Sequence, residues 1–134
     1  MNAREQLLRE LSTFRGNQER LAWIIKKGKE QPAFPESART EKNRVEGCLS
    51  NLWLLSRMES GRCWFQSDSD SSIVRGLASV ICELFSELSP MEILQADVAA
   101  LLQEAGLSHQ LTPNRRNATT ALAQKIKDYA REQA

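Results

Sequence analysis

The run Leu49-Ser50-Asn51-Leu52-Trp53-Leu54-Leu55-Ser56-Arg57-Met58-Glu59-Ser60-Gly61-Arg62-Cys63-Trp64-Phe65-Gln66 holds two β-prone, apolar segments separated by Glu59-Ser60-Gly61. Two such segments flanking a short glycine-bearing turn read as an antiparallel hairpin, with strands over 49–58 and 62–66. The first strand is expected to begin at Cys48. Immediately after the hairpin, Ile73, Val74, Leu77, Ile81, Leu84, Phe85 and Leu88 recur at helical spacing. This is the strongest 3.6-residue stripe in the chain and marks a core helix. Ser67-Asp68-Ser69-Asp70 precedes that stripe and supplies N-cap candidates. A short antiparallel sheet followed by a run of helices is the α+β pattern.

Before the hairpin, Leu7, Leu8, Leu11 and Phe14 form one apolar stripe, and Leu21, Ile24 and Ile25 form a second beyond Gly16-Asn17. Two short helices are expected there. Gly28, Pro32 and Pro35 then predict a surface loop over 26–43. After the core helix, Ser89-Pro90-Met91-Glu92 combines a hydroxyl cap, an early proline and a capping-box glutamate, so another helix starts there. Asp97 is placed to cap a break and Gly106 to end the segment. Residues 114–117 read as a polar connection, followed by a last amphipathic helix built on Leu122, Ile126 and Tyr129.

The 134 residues suit one domain spanning 1–134. Hydrophobic residues at 41% and charged residues at 26% are ordinary for a folded chain, which excludes a fibrous or disordered class. With 18 Lys plus Arg against 17 Asp plus Glu, the net charge of +1 gives no electrostatic reason to expect nucleic acid or a membrane surface as partner. No apolar stretch approaches the length of a membrane span and Met1–Gln6 lacks the apolar core of a secretory signal, so a cytoplasmic location is expected.

Three cysteines, Cys48, Cys63 and Cys82, are an odd number at wide spacing and read as free thiols rather than a disulfide framework. Cys63 falls in the second strand on the face of Phe65, and Cys82 lies on the apolar side of the core helix; both read as small core residues. Cys48 differs. It follows Lys42, Arg44 and Gly47 where a polar segment turns apolar. Nearby cationic charge favours a thiolate and glycine keeps an approach open, while burial as a small hydrophobe is the competing reading. A zinc or iron-sulfur site made of the three cysteines and His109 is the other alternative. It meets poor ligand spacing, because the closest pair, Cys48 and Cys63, is 15 positions apart. Asp68 and Asp70 read as the helix N-terminus rather than paired catalytic carboxylates, Arg115-Arg116 as an anion clamp or solvated charge, and His109 as a surface loop residue. Trp23, Trp53 and Trp64 read as core or interface anchors.

Several segments, in order, resemble the SufE-type cysteine desulfuration family. They are Trp23-Ile24-Ile25-Lys26-Lys27-Gly28 with Pro32 and Pro35, and Asn43-Arg44-Val45-Glu46-Gly47-Cys48-Leu49-Ser50-Asn51-Leu52-Trp53-Leu54. Further along come Ser67-Asp68-Ser69-Asp70-Ser71-Ser72-Ile73-Val74-Arg75-Gly76-Leu77 and Leu111-Thr112-Pro113-Asn114-Arg115. Departures are the absence of a tryptophan near Asn17, Arg75 where lysine is common, and Ala118 where glycine is usual. The resemblance implies an α+β fold like that of the U-type iron-sulfur scaffold. It implies that Cys48 carries a persulfide, with Arg115 in support; the local charge of Lys42 and Arg44 could also favour the thiolate or dock an acidic partner, and no role at Cys48 is implied for Arg116. It also implies a pyridoxal-phosphate cysteine desulfurase of the SUF type as sulfur donor and an iron-sulfur scaffold complex as receiver. The chain itself would need no cofactor and hold no metal. It would act as an accessory that stimulates the desulfurase without independent turnover, as a monomer or weak homodimer. A U-type metal or cluster scaffold is the alternative function.

Overall fold

A computed structural model describes residues 3–47 and 50–134. Helices α1 (Ala3–Ser12) and α2 (Asn17–Glu30) lead into a short 3-10 turn at Glu36–Ala38. The hairpin β1 (Leu52–Glu59) and β2 (Arg62–Ser69) follows, and then α3 (Ser72–Phe85), α4 (Pro90–Gln95), α5 (Val98–Glu104), a second 3-10 turn at Ser108–Gln110, and α6 (Pro113–Gln133). The architecture is α+β: one two-stranded antiparallel sheet packed with helices. No described helix is long and apolar enough to cross a membrane.

The hairpin closes through Ser60 and Gly61, whose φ angles of 53° and 77° lie in the left-handed region that a two-residue turn requires. Alternation then sorts the strands. Leu52, Leu54, Cys63 and Phe65 are buried on the inner face, against α3 and α6. Trp53 and Trp64 lie half-buried on the other face, each beside a guanidinium: Arg39 stands 5.9 Å from the ring centre of Trp53 and Arg57 stands 5.3 Å from that of Trp64. The outer edge of β2 is covered where Cys63 and the 87–88 segment exchange backbone hydrogen bonds of 2.8 Å.

Helix α3 is the centre of the core, buried almost without interruption from Leu77 to Phe85, and α1, α2, β2 and α6 pack around it. Its axis meets that of α2 at a close crossing of two glycines. A Cβ on Gly76 would stand 2.1 Å from the Ile24 carbonyl oxygen, and one on Gly28 would stand 2.9 Å from the Gly76 nitrogen. Both positions therefore require glycine for steric reasons.

Several boundaries differ from those expected of the sequence. Helix α1 ends at Ser12, before Phe14, and α3 ends at Phe85, before Leu88, whose carbonyl instead accepts from the Cys63 N–H. Strand β1 begins at Leu52 rather than Cys48, because the chain turns through 46–47 before it can pair. Strand β2 continues past Gln66 to Ser69, since the register from Met58↔Cys63 runs unbroken to Leu52↔Ser69. Helix α2 runs through Gly28 to Glu30, the glycine serving the crossing and not a break. Helix α6 starts at Pro113, so residues 114–117 form its first turn, with the Arg116 N–H donating to the Thr112 carbonyl at 2.8 Å. Elsewhere the capping box of Ser89 and Glu92, the Asp97 cap on α5 and the left-handed Gly106 stand where expected.

Candidate functional site

The segment that carries Cys48 is tied at its base. The Val45 N–H donates to the Leu52 carbonyl and the Leu54 N–H to the Asn43 carbonyl, both at 2.8 Å, with Arg44 bridging Trp53. This short ladder closes the loop between Val45 and Leu52. Cys48 itself lies outside the described residues. On its N-terminal side, Gly47 has φ +89°, and among the described residues beyond its chain neighbours no atom lies within 4 Å of where a Cβ would stand. Backbone conformation, not crowding, is what calls for glycine there.

On its C-terminal side the loop is held to the end of β2. The Asn51 N–H donates to Asp70 Oδ1 at 3.1 Å and its side-chain Nδ2 donates to Asp70 Oδ2 at 2.9 Å. The Ser69 hydroxyl donates to the Asn51 carbonyl at 2.6 Å. Ser50, two residues beyond Cys48, lines a cavity of about 260 Å³ together with Ser71, Val74, Thr112, Arg115 and Ala118. Helix α6 positions Arg115: Pro113 in its first turn sets the helix start, and Arg115 Nη1 donates to the Gln110 carbonyl at 3.2 Å. Ala118, a departure from the family pattern, is buried in the same cavity's wall.

Asp68 and Asp70 do not cap α3. Ser71 does so, its hydroxyl accepting from the Val74 N–H at 3.4 Å. Asp68, only 7% exposed, sits between two arginines. Arg39 donates to it through Nε and Nη2 at 3.1 and 2.6 Å, and Arg75 through Nε at 3.0 Å. The hydrogen bond to Asp68 raises the guanidinium pKa of Arg39 above its ordinary value, against an opposing desolvation effect. Sequence reasoning misses these roles because the Ser-Asp alternation over 67–70 resembles a helix start. Its period of two, continuing that of β2, is the signal that reveals it.

The other cations divide. Arg44 pairs with Glu41 at 3.6 Å, and the Lys42 carbonyl accepts from Lys125 Nζ at 3.1 Å. Arg116, adjacent in sequence to Arg115, is exposed and lines a different groove. Cys63 and Cys82 are 0% and 4% exposed. Burial raises both thiols, that of Cys82 to about 12, so both are neutral near pH 7. Neither lies with two or more other His, Cys, Asp or Glu residues in a group suited to a metal, among the described residues. His109 falls in the 3-10 turn at Ser108–Gln110.

The family model described as SufE, Fe-S metabolism associated domain, matches residues 5–130. The chain belongs to the SufE family. An uncharacterized SufE-like protein of Rhizobium meliloti (strain 1021) is 30% identical over 134 residues, which span 97% of this chain and 96% of the relative. Among solved structures, the solution structure of a hypothetical protein from Thermus thermophilus superposes with a TM-score of 0.78, covering 97% of this chain and 94% of that one. At 18% identity that likeness bears on the fold alone, and it is the same α+β fold. As a SufE-family member, the chain has a place in iron-sulfur metabolism.

Proposed function

We propose that this SufE-family protein is a sulfur acceptor whose Cys48 takes persulfide sulfur from a pyridoxal-phosphate cysteine desulfurase. By clearing that enzyme's persulfide it stimulates turnover, and it hands the sulfur to an iron-sulfur scaffold complex in the cytoplasm. The observation that carries the reading is the segment between Val45 and Leu52, closed at its base by the backbone bonds of Val45 to Leu52 and Leu54 to Asn43 and held beside that base by the bonds of Asn51 to Asp70. With both ends of the segment held in this way, a partner's approach to Cys48 would not require the rest of the fold to move.

In the proposed step the Cys48 thiolate attacks the terminal sulfur of the partner's persulfide. A new sulfur–sulfur bond forms on Cys48, the partner's internal sulfur–sulfur bond breaks, and the partner's cysteine leaves as a thiolate. No net oxidation or reduction occurs and no free sulfide is released. Arg115, which lines the same cavity as Ser50, is the cation proposed to favour an anionic sulfur on Cys48. Cys63 and Cys82, buried and held as thiols, are poor competitors.

The test incubates the protein with a cysteine desulfurase and cysteine, then maps added sulfur by peptide mass spectrometry. Added sulfur on Cys48, and its loss together with desulfurase stimulation in Cys48→Ser, is the expected result. Sulfur found only on Cys63 or Cys82, or undiminished stimulation by Cys48→Ser, would overturn the proposal. Stoichiometric iron in the protein as isolated would point instead to a cluster scaffold.

A further inference from the structure

On the side of α6 away from the Ser50 cavity, a groove of about 820 Å³ runs between α5 and α6. Its floor is apolar or small: Leu102 and Ala123 are buried, and Val98 and Leu111 are half-buried beside them. The groove is wide enough for a drug-sized ligand and open along its length, the shape into which an amphipathic helix can lay an apolar face.

Charge narrows the choice of occupant. Arg116 stands at one end and Lys127 at the other. Each donates only to a main-chain carbonyl, Arg116 Nη2 to Leu111 at 3.3 Å and Lys127 Nζ to Ala96 at 2.6 Å, and neither forms an ion pair among the described residues. Among the described residues, the one carboxylate lining the groove is that of Asp97, which caps α5, its Oδ1 accepting from the Ala100 N–H at 3.1 Å. The groove thus has an apolar strip through Val98, Leu102, Leu111 and Ala123 and, among the described residues that line it, two cations against the single carboxylate of Asp97, which lies near the Lys127 end. On the helical rise per residue, positions 116 and 127 are about 16 Å apart along α6. No single small anion spans that distance, whereas a helix bearing carboxylates roughly three turns apart meets both cations while burying the apolar stripe between them.

We infer that the α5–α6 groove is a docking site for an acidic amphipathic helix of a partner protein, meeting Arg116 and Lys127 with carboxylates and the floor with apolar side chains. Among the described residues, none of the segment 45–52 lines this groove, and the inference does not depend on the sulfur-acceptor reading. It would supply affinity and orientation that a loop-sized contact alone does not.

The probe is a synthetic helical peptide with leucines at every third or fourth position and two glutamates spaced like Arg116 and Lys127, compared with the same peptide carrying lysines instead. Titrated into the isotope-labelled protein, the acidic peptide is expected to shift the backbone amide resonances of Leu102, Leu111 and Ala123, and to bind roughly tenfold tighter than the basic one, a preference that added salt erodes. In the double variant Arg116→Glu with Lys127→Glu the preference should reverse. Equal binding of the two peptides to the wild-type protein, shifts confined to other surfaces, or no binding would overturn the inference, and this comparison needs no variant. Decanoate producing the same shifts as strongly as the acidic peptide would also overturn it, assigning the groove to small amphipathic anions.

Discussion

Cys63 and Cys82 owe their inertness to position rather than to any property of the thiol. Cys63 packs its sulfur 3.4 Å from that of Met58 under the hairpin, and Cys82 is enclosed in α3 against β2. Thiol-directed reagents near neutral pH should therefore modify the native protein without reaching either one, and should modify both once it is unfolded; mass mapping of labelled peptides checks this. Burial also sets a pH dependence. The Cys82 thiol ionises at about 12 in the folded protein against an ordinary value of 9.0. Because the folded-state value is raised, its contribution to stability is fully present below pH 9 and is lost as pH rises toward about 12, where the unfolded chain alone releases the proton. Denaturant melts of the wild type and of Cys82→Ala should show the gap between them narrowing across that window. A gap that is constant with pH would show the thiol is not protected.

At the scale of elements, the α2–α3 crossing is the tightest joint of the fold. Gly76→Ala places a methyl 2.1 Å from the Ile24 carbonyl oxygen, an atom of main chain that cannot swing aside as a side chain would. The helices must separate, and we expect a loss of about 3 kcal/mol or more, with Gly28→Ala costing less because its nearest clash is 2.9 Å. Chemical denaturation of both variants measures the difference. This joint also shows why sequence reading succeeds in one place and fails in another. The α3 stripe from Ile73 to Phe85, the capping box at Ser89 and the Asp97 cap are local signals that stand in the structure, whereas Leu88, at the end of the same stripe, lies beyond the helix and bridges Cys63. The purpose of Gly28 depends on Gly76, far away in the chain, so local reading takes it for a helix breaker. The end of β2 is hidden in the same way: Ser67 and Ser69 look like helix N-cap candidates until β1 pairs with them. For the site, Cys48 and Arg115 are singled out by motif, whereas the shared cavity of Arg115 and Ser50 depends on α6 folding back across the hairpin.

Across the whole molecule, Asp68 connects three parts of the chain through one buried carboxylate. Through Arg39 it holds the loop that follows α2, through its own backbone it belongs to β2, and through Arg75 it reaches the first turn of α3. Arg39 further stands over Phe34 and Trp53 and pairs with Glu36, while Arg75 donates to the Ser69 carbonyl at 2.7 Å. The neighbouring residues Ser69 and Asp70 hold Asn51, so the same end of β2 that anchors the outer loop also fixes the C-terminal base of the Cys48 loop. Removing the carboxylate leaves two guanidinium groups facing each other. Each keeps about a third of its side chain in solvent, at 30% and 33% exposure, so water recovers part of what is lost. Asp68→Ala should accordingly cost about 2 kcal/mol, less than breaking a fully buried pair. The effect should also be uneven. Amide hydrogen exchange is expected to accelerate most in residues 36–44 and at Asn51, with the interior of α3 from Leu77 to Phe85 changed only by the global loss of stability. Uniform acceleration throughout the protein would mean that Asp68 contributes to overall stability without tying the outer loop to the Cys48 loop.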